Sequence, residues 1–459
     1  VARPAFAWRA PRRWPLPTAL RLVLGLTFLV AVGAGLLLLP GAGAQRALTV
    51  NEALFTAVSA LTVTGLNIIT PARDLSLTGQ VIVLVLIQIG GVGFMVGAVT
   101  VLRLIGRNIS LEDRLALRDS LGLLEPRAIV RLSRRVVLAV LLMESIGALL
   151  LWLHWRNRMP EGQALFYAVF HSVSAFCNAG FELFSGLPDY PTGAPNDPIT
   201  LALFGSLIFL GSLGIPVLGD FIGLLRARAR AARALSLHTR ITLGVLAFLN
   251  IGGSLGLFLA EGLGGLLAEE DVLRRAALAV FQAVGGRTAG FIALPSFESL
   301  KPASQLLLIA LMFIGAAPAS MGGGITTGTF AVLLIALWGY ARGRQTAHIA
   351  GRRIAAMTVR KAAAVLTISL IVVFTAAWLL LLTHPGATLD AALFEVVSAF
   401  ATCGLSLAFT AQLNGFGQGV IMLMMFWGRL GALTVVVALA QLPQRPALIE
   451  YPEEQLLIG

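Results

Sequence analysis

Four short segments of this chain end in a glycine after an apolar lead-in: Leu61-Thr62-Val63-Thr64-Gly65, Phe176-Cys177-Asn178-Ala179-Gly180, Gly286-Arg287-Thr288-Ala289-Gly290 and Phe400-Ala401-Thr402-Cys403-Gly404. Glycine frees the backbone for dihedrals that other residues resist, so successive carbonyls can turn the same way. Rings of such oxygens replace the water shell of K⁺ or Na⁺. The chemistry these residues suit is therefore dehydration of a monovalent cation. The glycines lie 115, 110 and 114 positions apart. A period of that length marks four copies of one unit, whose loops can surround a single axis. Each repeat has one filter glycine, unlike the two of a TVGYG filter, and Thr62-Val63-Thr64-Gly65 comes nearest that pattern.

The elements that must position these loops belong in a bilayer. The chain of 459 residues is 57% hydrophobic and 12% charged, with a mean hydropathy of +0.87, too little polar surface for a water-soluble globule of this length. Eight stretches have the length and apolarity of spanning helices: Leu22 to Leu39, Val81 to Leu102, Val136 to Leu153, Thr200 to Leu225, Ile241 to Leu259, Leu306 to Trp338, Ala362 to Leu382 and Val420 to Leu439. They pair around the glycine loops. The expectation is a single all-α polytopic membrane domain made of repeats at residues 1–125, 126–235, 236–355 and 356–459. Each repeat is a helix, a re-entrant pore helix and a second helix, giving eight transmembrane and four pore helices around one pseudo-fourfold pore. No cleavable signal peptide is evident, and the first apolar stretch reads as the first helix.

Charge sets the expected orientation. Of the 34 Lys and Arg residues, 25 fall before the first span, in alternate loops or after the last span, and seven in the opposite loops. By the positive-inside rule both termini are cytoplasmic and the glycine loops open from outside. Topology explains the net charge of +12, so a nucleic-acid partner is not expected.

Before each glycine runs a short apolar segment that starts near acid: Glu52, Glu161, the trio Glu269, Glu270 and Asp271, and Asp390. Acid suits a helix N-terminus, and a re-entrant helix then aims its partly negative carbonyl end at the loop. A second set of glycines, beginning at Gly90, Gly211, Gly315 and Gly428, sits inside the second helices, where small residues allow close packing. In the third repeat the stretch Gly315 to Thr329, with Gly322-Gly323-Gly324 and Thr326, is too rich in Gly, Pro and hydroxyls for a continuous helix. It reads as a gate beneath the ion site. Arg429 is a mid-span guanidinium that either throttles a cation path or snorkels to an interface. Glu144 and Asn250 read as interhelical hydrogen-bonding groups, and Cys177 and Cys403 as small fillers rather than a disulfide. The five histidines share no register, which argues against a membrane enzyme.

The runs Asn51 to Leu66, Ser174 to Phe181, Arg287 to Phe291, Ser398 to Leu405 and Gly428-Arg429-Leu430-Gly431 resemble the KtrB/TrkH superfamily of K⁺ transporters, nearest its KtrB branch. The resemblance implies K⁺ bound at the filter carbonyls, with K⁺ as the permeant ion and Na⁺ as a candidate activator. It implies a gate at the broken helix of the third repeat, a homodimer, and a cytoplasmic KtrA-type nucleotide-binding regulatory ring. The implied location is a bacterial cytoplasmic membrane, and the implied function is K⁺ uptake as the membrane subunit of a Ktr-type system. The alternative is a Na⁺- or H⁺-coupled monovalent cation symporter. The chain departs from the family pattern at Thr326, where a Lys is common, and at Gly285-Gly286, where Thr-Pro is common.

Overall fold

The computed structural model describes residues 18–93, 126–226 and 235–431, apart from 188–189, 191–192, 295 and 345. The basic segment 94–125, the termini and the far ends of the second and eighth expected spans lie outside the described residues.

Four units follow one plan. The first helices are α1 (Thr18–Leu37), α5 (Pro126–Trp155), α9 (Leu237–Gly262) and α13 (Ala356–Thr383); the pore helices are α2 (Val50–Leu61), α6 (Glu161–Phe176), α10 (Val272–Thr288) and α14 (Leu389–Ala401). The chain then returns through α4 (Leu77–Val92), α7 (Pro198–Ser212), α11 (Pro302–Phe313) and α15 (Gly415–Leu430). A one-turn helix, α3 (Pro71–Asp74), precedes α4, while α8 (Ile215–Arg226) and α12 (Thr327–Ala341) continue the second and third units. A two-residue hairpin, β1 (His348–Ile349) with β2 (Arg352–Arg353), joins α12 to α13. No sequence signal pointed to it.

The first helices face the bilayer. Ile251, Phe248, Phe374 and Trp378 are exposed along α9 and α13, as expected where lipid is the solvent. The pore helices are buried at their loop ends: Val58 to Leu61, Phe170 to Phe176 and Phe394 to Ala401 are enclosed by protein. Their entry ends carry the expected acid. Thr49 and Glu52 form a capping box on α2, Glu161 opens α6, Asp271 caps α10 and Asp390 lies in the first turn of α14.

Ring closure is visible in the packing order. Each pore helix lies against the second helix of the preceding unit: α6 on α4, α10 on α7, α14 on α11, and α2 on α15. The last of these pairs joins the fourth unit to the first.

The second helices correct the expectation of continuous spans in units one, two and four. The expected helix Thr200 to Leu225 is interrupted between α7 and α8 at Gly214, whose φ is 81°. Two things cause it: Pro216 has no N–H to offer Ser212 O, and the loop of unit three takes the carbonyls at the break, Ala317 N–H donating to Ser212 O at 3.2 Å and Met321 N–H to Gly211 O at 3.3 Å. Units one and four end their helices at the same register, at Gly93 and Gly431, with φ of 82° and 80°.

The glycine three residues before each of these breaks has a packing reason. A Cβ on Gly90, Gly211 or Gly428 would stand 2.0, 1.9 or 2.0 Å from a carbonyl in the last turn of its own unit's pore helix, at Leu61, Phe176 or Phe400. Gly211→Ala is therefore expected to destabilise the protein by about 1–3 kcal/mol, read as a lower unfolding temperature in detergent. Gly219→Ala, which meets nothing within 4 Å, should leave that temperature where it is.

Candidate functional site: a ring of glycines and carbonyls

The pore helices deliver the four glycine segments to one place. Gly65, Gly180, Gly290 and Gly404 all have positive φ, at 88°, 69°, 64° and 94°. A Cβ on Gly65 would lie 2.5 Å from Ala179 O, on Gly180 2.5 Å from Ala289 O, on Gly290 2.3 Å from Cys403 O, and on Gly404 2.1 Å from Thr64 O. Each glycine thus abuts the carbonyl just before the glycine of the next unit, and the fourth returns to the first. Only glycine fits such an approach at such a φ.

The backbone is turned by a repeated device. Val63, Asn178 and Thr402 are left-handed, with φ of 51°, 58° and 48°. Thr64, Ala179 and Cys403 then donate their N–H groups back to Ser59, Ser174 and Ser398 carbonyls at 2.8, 2.7 and 2.9 Å. The Ser59 and Ser398 hydroxyls accept from Gly65 N–H and Gly404 N–H, each at 3.1 Å. Unit three is the exception. Its helix runs on to Thr288, and Gly290 N–H donates to Gly285 O at 3.1 Å instead.

Several side chains of these segments tie the backbone to its surroundings. Thr62 donates its hydroxyl to Val58 O at 2.7 Å, and its Oγ1 lies 2.8 Å from Thr64 Oγ1. Val63 is buried among apolar groups. Cys177 Sγ lies 3.4 Å from Glu144 on α5, which also accepts from Gln88 at 3.0 Å. The Asn178 carboxamide, oriented to donate, reaches Ile208 O at 3.1 Å. Arg287 is buried behind the loop, donating to Asn250 Oδ1 at 3.0 Å and Gly315 O at 2.7 Å. Cys403 Sγ faces Gly286 O at 3.3 Å. Both cysteines are free thiols. The segments thus present backbone to one another at the ring and side chains to the helices behind it.

Beneath the ring lies the loop of unit three. Ile314 and Ile325 pair across its neck, and Thr327 N–H closes it onto Ala316 O at 3.0 Å. A Cβ on Gly322 would meet Thr288 Cγ2 at 3.1 Å, one on Gly323 would meet Thr402 Oγ1 at 2.7 Å, and one on Gly324 would meet Ala401 Cα at 3.4 Å. The loop therefore presses on two filter segments at once. The Thr288 and Thr402 hydroxyls at that contact are buried with no protein partner. Arg429 donates to Met321 O of the loop at 2.5 Å, to Gly90 O, and to Gly91 O at 3.4 Å. The guanidinium links units four, three and one at the level where the second helices break. Thr326 does not reach the ring: it caps α12, accepting from Thr329 N–H at 3.3 Å.

One register escaped the sequence reading. His171, Gln282 and Glu395 are buried polar groups midway along apolar pore helices. Each holds the segment that follows the glycine: His171 Nε2 accepts from Leu183 N–H at 3.1 Å, Gln282 Oε1 from Ala293 N–H at 3.2 Å, and Glu395 from Ser406 Oγ at 2.8 Å and from Thr410 Oγ1. The signal was a non-apolar residue eight or nine positions before each glycine, with Thr56 in unit one.

An all-α polytopic fold whose four units close a glycine ring at the ends of buried pore helices defines a membrane pore for ions. The match to known proteins agrees. The family model described as TrkH, cation transport protein, matches residues 28–448, and the chain belongs to that family. It is 36% identical over 417 residues to the Ktr system potassium uptake protein B of Vibrio alginolyticus, covering 90% of this chain and 89% of that protein. It is 31% identical over 440 residues to the potassium/sodium uptake protein NtpJ of Enterococcus hirae, covering 95% and 96%. In fold it is similar to the crystal structure of the potassium transporter TrkH from Vibrio parahaemolyticus, with a TM-score of 0.74, 20% identity, and coverage of 96% of this chain and 87% of that one.

Proposed function

We propose that this protein carries K⁺ into the cell across the bacterial cytoplasmic membrane, as the membrane subunit of a Ktr-type uptake system. The observation that carries the reading is the closed ring, in which each of Gly65, Gly180, Gly290 and Gly404 abuts a carbonyl of the next unit. Carbonyl dipoles held in register replace an ion's hydration without a formal charge that would trap it. The filter in this reading comprises Thr62 to Gly65, Cys177 to Gly180, Arg287 to Gly290 and Ala401 to Gly404. K⁺ sits at the backbone oxygens, and the four pore-helix C-termini add partial negative charge.

The loop carrying Gly322, Gly323 and Gly324 is the gate, with Arg429 as its latch and an electrostatic barrier below the filter. Thr326 acts through the cap of α12. Both termini and the basic loops lie on the cytoplasmic side, and the pore helices enter from outside. The protein works as a homodimer on a KtrA-type nucleotide-binding ring. A relative named for both potassium and sodium uptake supports a role for Na⁺, as an activator.

The test is growth of a K⁺-uptake-deficient host at low external K⁺, with and without a co-expressed KtrA-type regulator. Rescue that is strongest with the regulator is expected, and absence of rescue under both conditions overturns the reading. In proteoliposomes the flux should follow the K⁺ gradient and voltage. A fixed ratio of K⁺ to Na⁺ or H⁺ would replace the pore with a symporter.

A further inference from the structure

Directly above the ring, on the side from which the pore helices enter, the four filter glycines form the floor of a cavity of about 210 Å³. Its walls are not fourfold. The residue two positions after each glycine is Asn67, Glu182, Ile292 or Ser406, and these four differ in what they can offer a cation. Ile292 is apolar. Ser406 commits its hydroxyl proton to Glu395 at 2.8 Å and does not line the cavity. Asn67 and Glu182 both line it. Asn67 donates its carboxamide N–H to Gly65 O at 2.8 Å, which leaves Oδ1 buried with no protein partner. Glu182 is held in place by Phe184 N–H at 2.7 Å and Ser185 N–H at 3.0 Å. It is the only formally charged group among the described residues lining this cavity.

Resting on the reading of the ring as a K⁺ filter, we infer that this cavity is an outer cation site, built around the Glu182 carboxylate of unit two directly over the four filter glycines. A low-dielectric funnel with one fixed negative charge concentrates cations at its mouth. Two backbone N–H groups draw on the carboxylate but leave it lone pairs for a partly hydrated ion. The Asn67 carboxamide nitrogen ties the cavity wall to the filter backbone at Gly65. The site takes a monovalent cation before its last waters are removed, and sets the concentration from which the filter draws.

The experiment measures K⁺ uptake in a deficient host expressing this chain with its regulator, at low ionic strength. Glu182→Gln should raise KM for K⁺ about fivefold or more while the maximal rate stays within about twofold. External Mg²⁺, which competes for the carboxylate, should inhibit the variant less than the parent. The difference in KM should shrink at high ionic strength, where screening weakens the funnel. The double variant Glu182→Gln with Ile292→Glu restores a charge to the same cavity from another unit, and should bring KM back. An unchanged KM and Mg²⁺ sensitivity in Glu182→Gln overturn the site, and so does a defect that Ile292→Glu fails to repair, since Glu182 would then serve only its own loop. Either result leaves K⁺ uptake by the parent chain intact, whereas a parent chain that moves no K⁺ refutes the filter itself.

Discussion

Replacing Gly404 by Ala is expected to reduce K⁺ uptake at least about tenfold and to weaken discrimination against Na⁺, while folded protein still reaches the membrane. The added methyl would stand 2.1 Å from Thr64 O, on a backbone with φ of 94°. A left-handed backbone disfavours an L side chain by roughly 1–2 kcal/mol. The overlap adds to this, and the ring relieves it by moving a carbonyl. A loss of about 1.4 kcal/mol in stabilising the dehydrated ion is already a factor of ten in rate. Gly290→Ser should behave alike, because its Cβ would lie 2.3 Å from Cys403 O. Gly419→Ala on α15 meets nothing within 4 Å and serves as the control. Rubidium or K⁺ flux in proteoliposomes, alone and against Na⁺, reads the effect. Parent-like flux and selectivity in both ring variants would remove the filter assignment.

Deleting Gly322 to Gly324 should act in the opposite direction, raising K⁺ flux about tenfold or more in the absence of a regulator. These residues fill the space under Thr288 and Thr402, and the loop is latched by Arg429 through Met321 O. With the loop shortened by three residues the path below the ring opens, and Met321 O is drawn away from the guanidinium. A fixed positive charge beside the path raises the barrier to a cation by Coulomb repulsion, the more so the lower the local dielectric. Arg429→Ala should therefore also speed flux, and combining it with the deletion should give less than the product of the two, because one contact is shared. A deletion variant that conducts at the parent rate would show that the loop does not gate.

The four-unit plan was legible because its signals are local and repeated. Glycine at one register, an apolar segment before it and acid before that recur in each unit, and each follows from a requirement of a re-entrant helix. The broken third span was legible for a similar reason, since Gly, Pro and hydroxyls crowd between Gly315 and Thr329. The breaks at Gly93, Gly214 and Gly431 were not. Single glycines in apolar helices are ordinary packing residues, and the break at Pro216, two residues after Gly214, is completed by a loop roughly a hundred residues later in the chain whose N–H groups take the freed carbonyls. The side-chain roles behind the ring were hidden likewise. Arg287 lies in a filter segment, yet its partners are Asn250 and Gly315 on other helices, and only the folded arrangement reveals where its guanidinium goes. The polar register of His171, Gln282 and Glu395 was present in the aligned repeats but blurred by the one-residue offset of unit three.

The packing of α2 against α15 also constrains how the protein is made. A nascent chain inserts its first unit long before its last, so the Gly65 segment waits at membrane depth with one flank bare. Thr64 O has no glycine to meet until Gly404 has been translated and threaded into place. A chain that stops after three units is a ring with a gap, its polar backbone open to lipid and its ion path without a fourth wall. Closure of the ring thus waits on the final quarter of the chain.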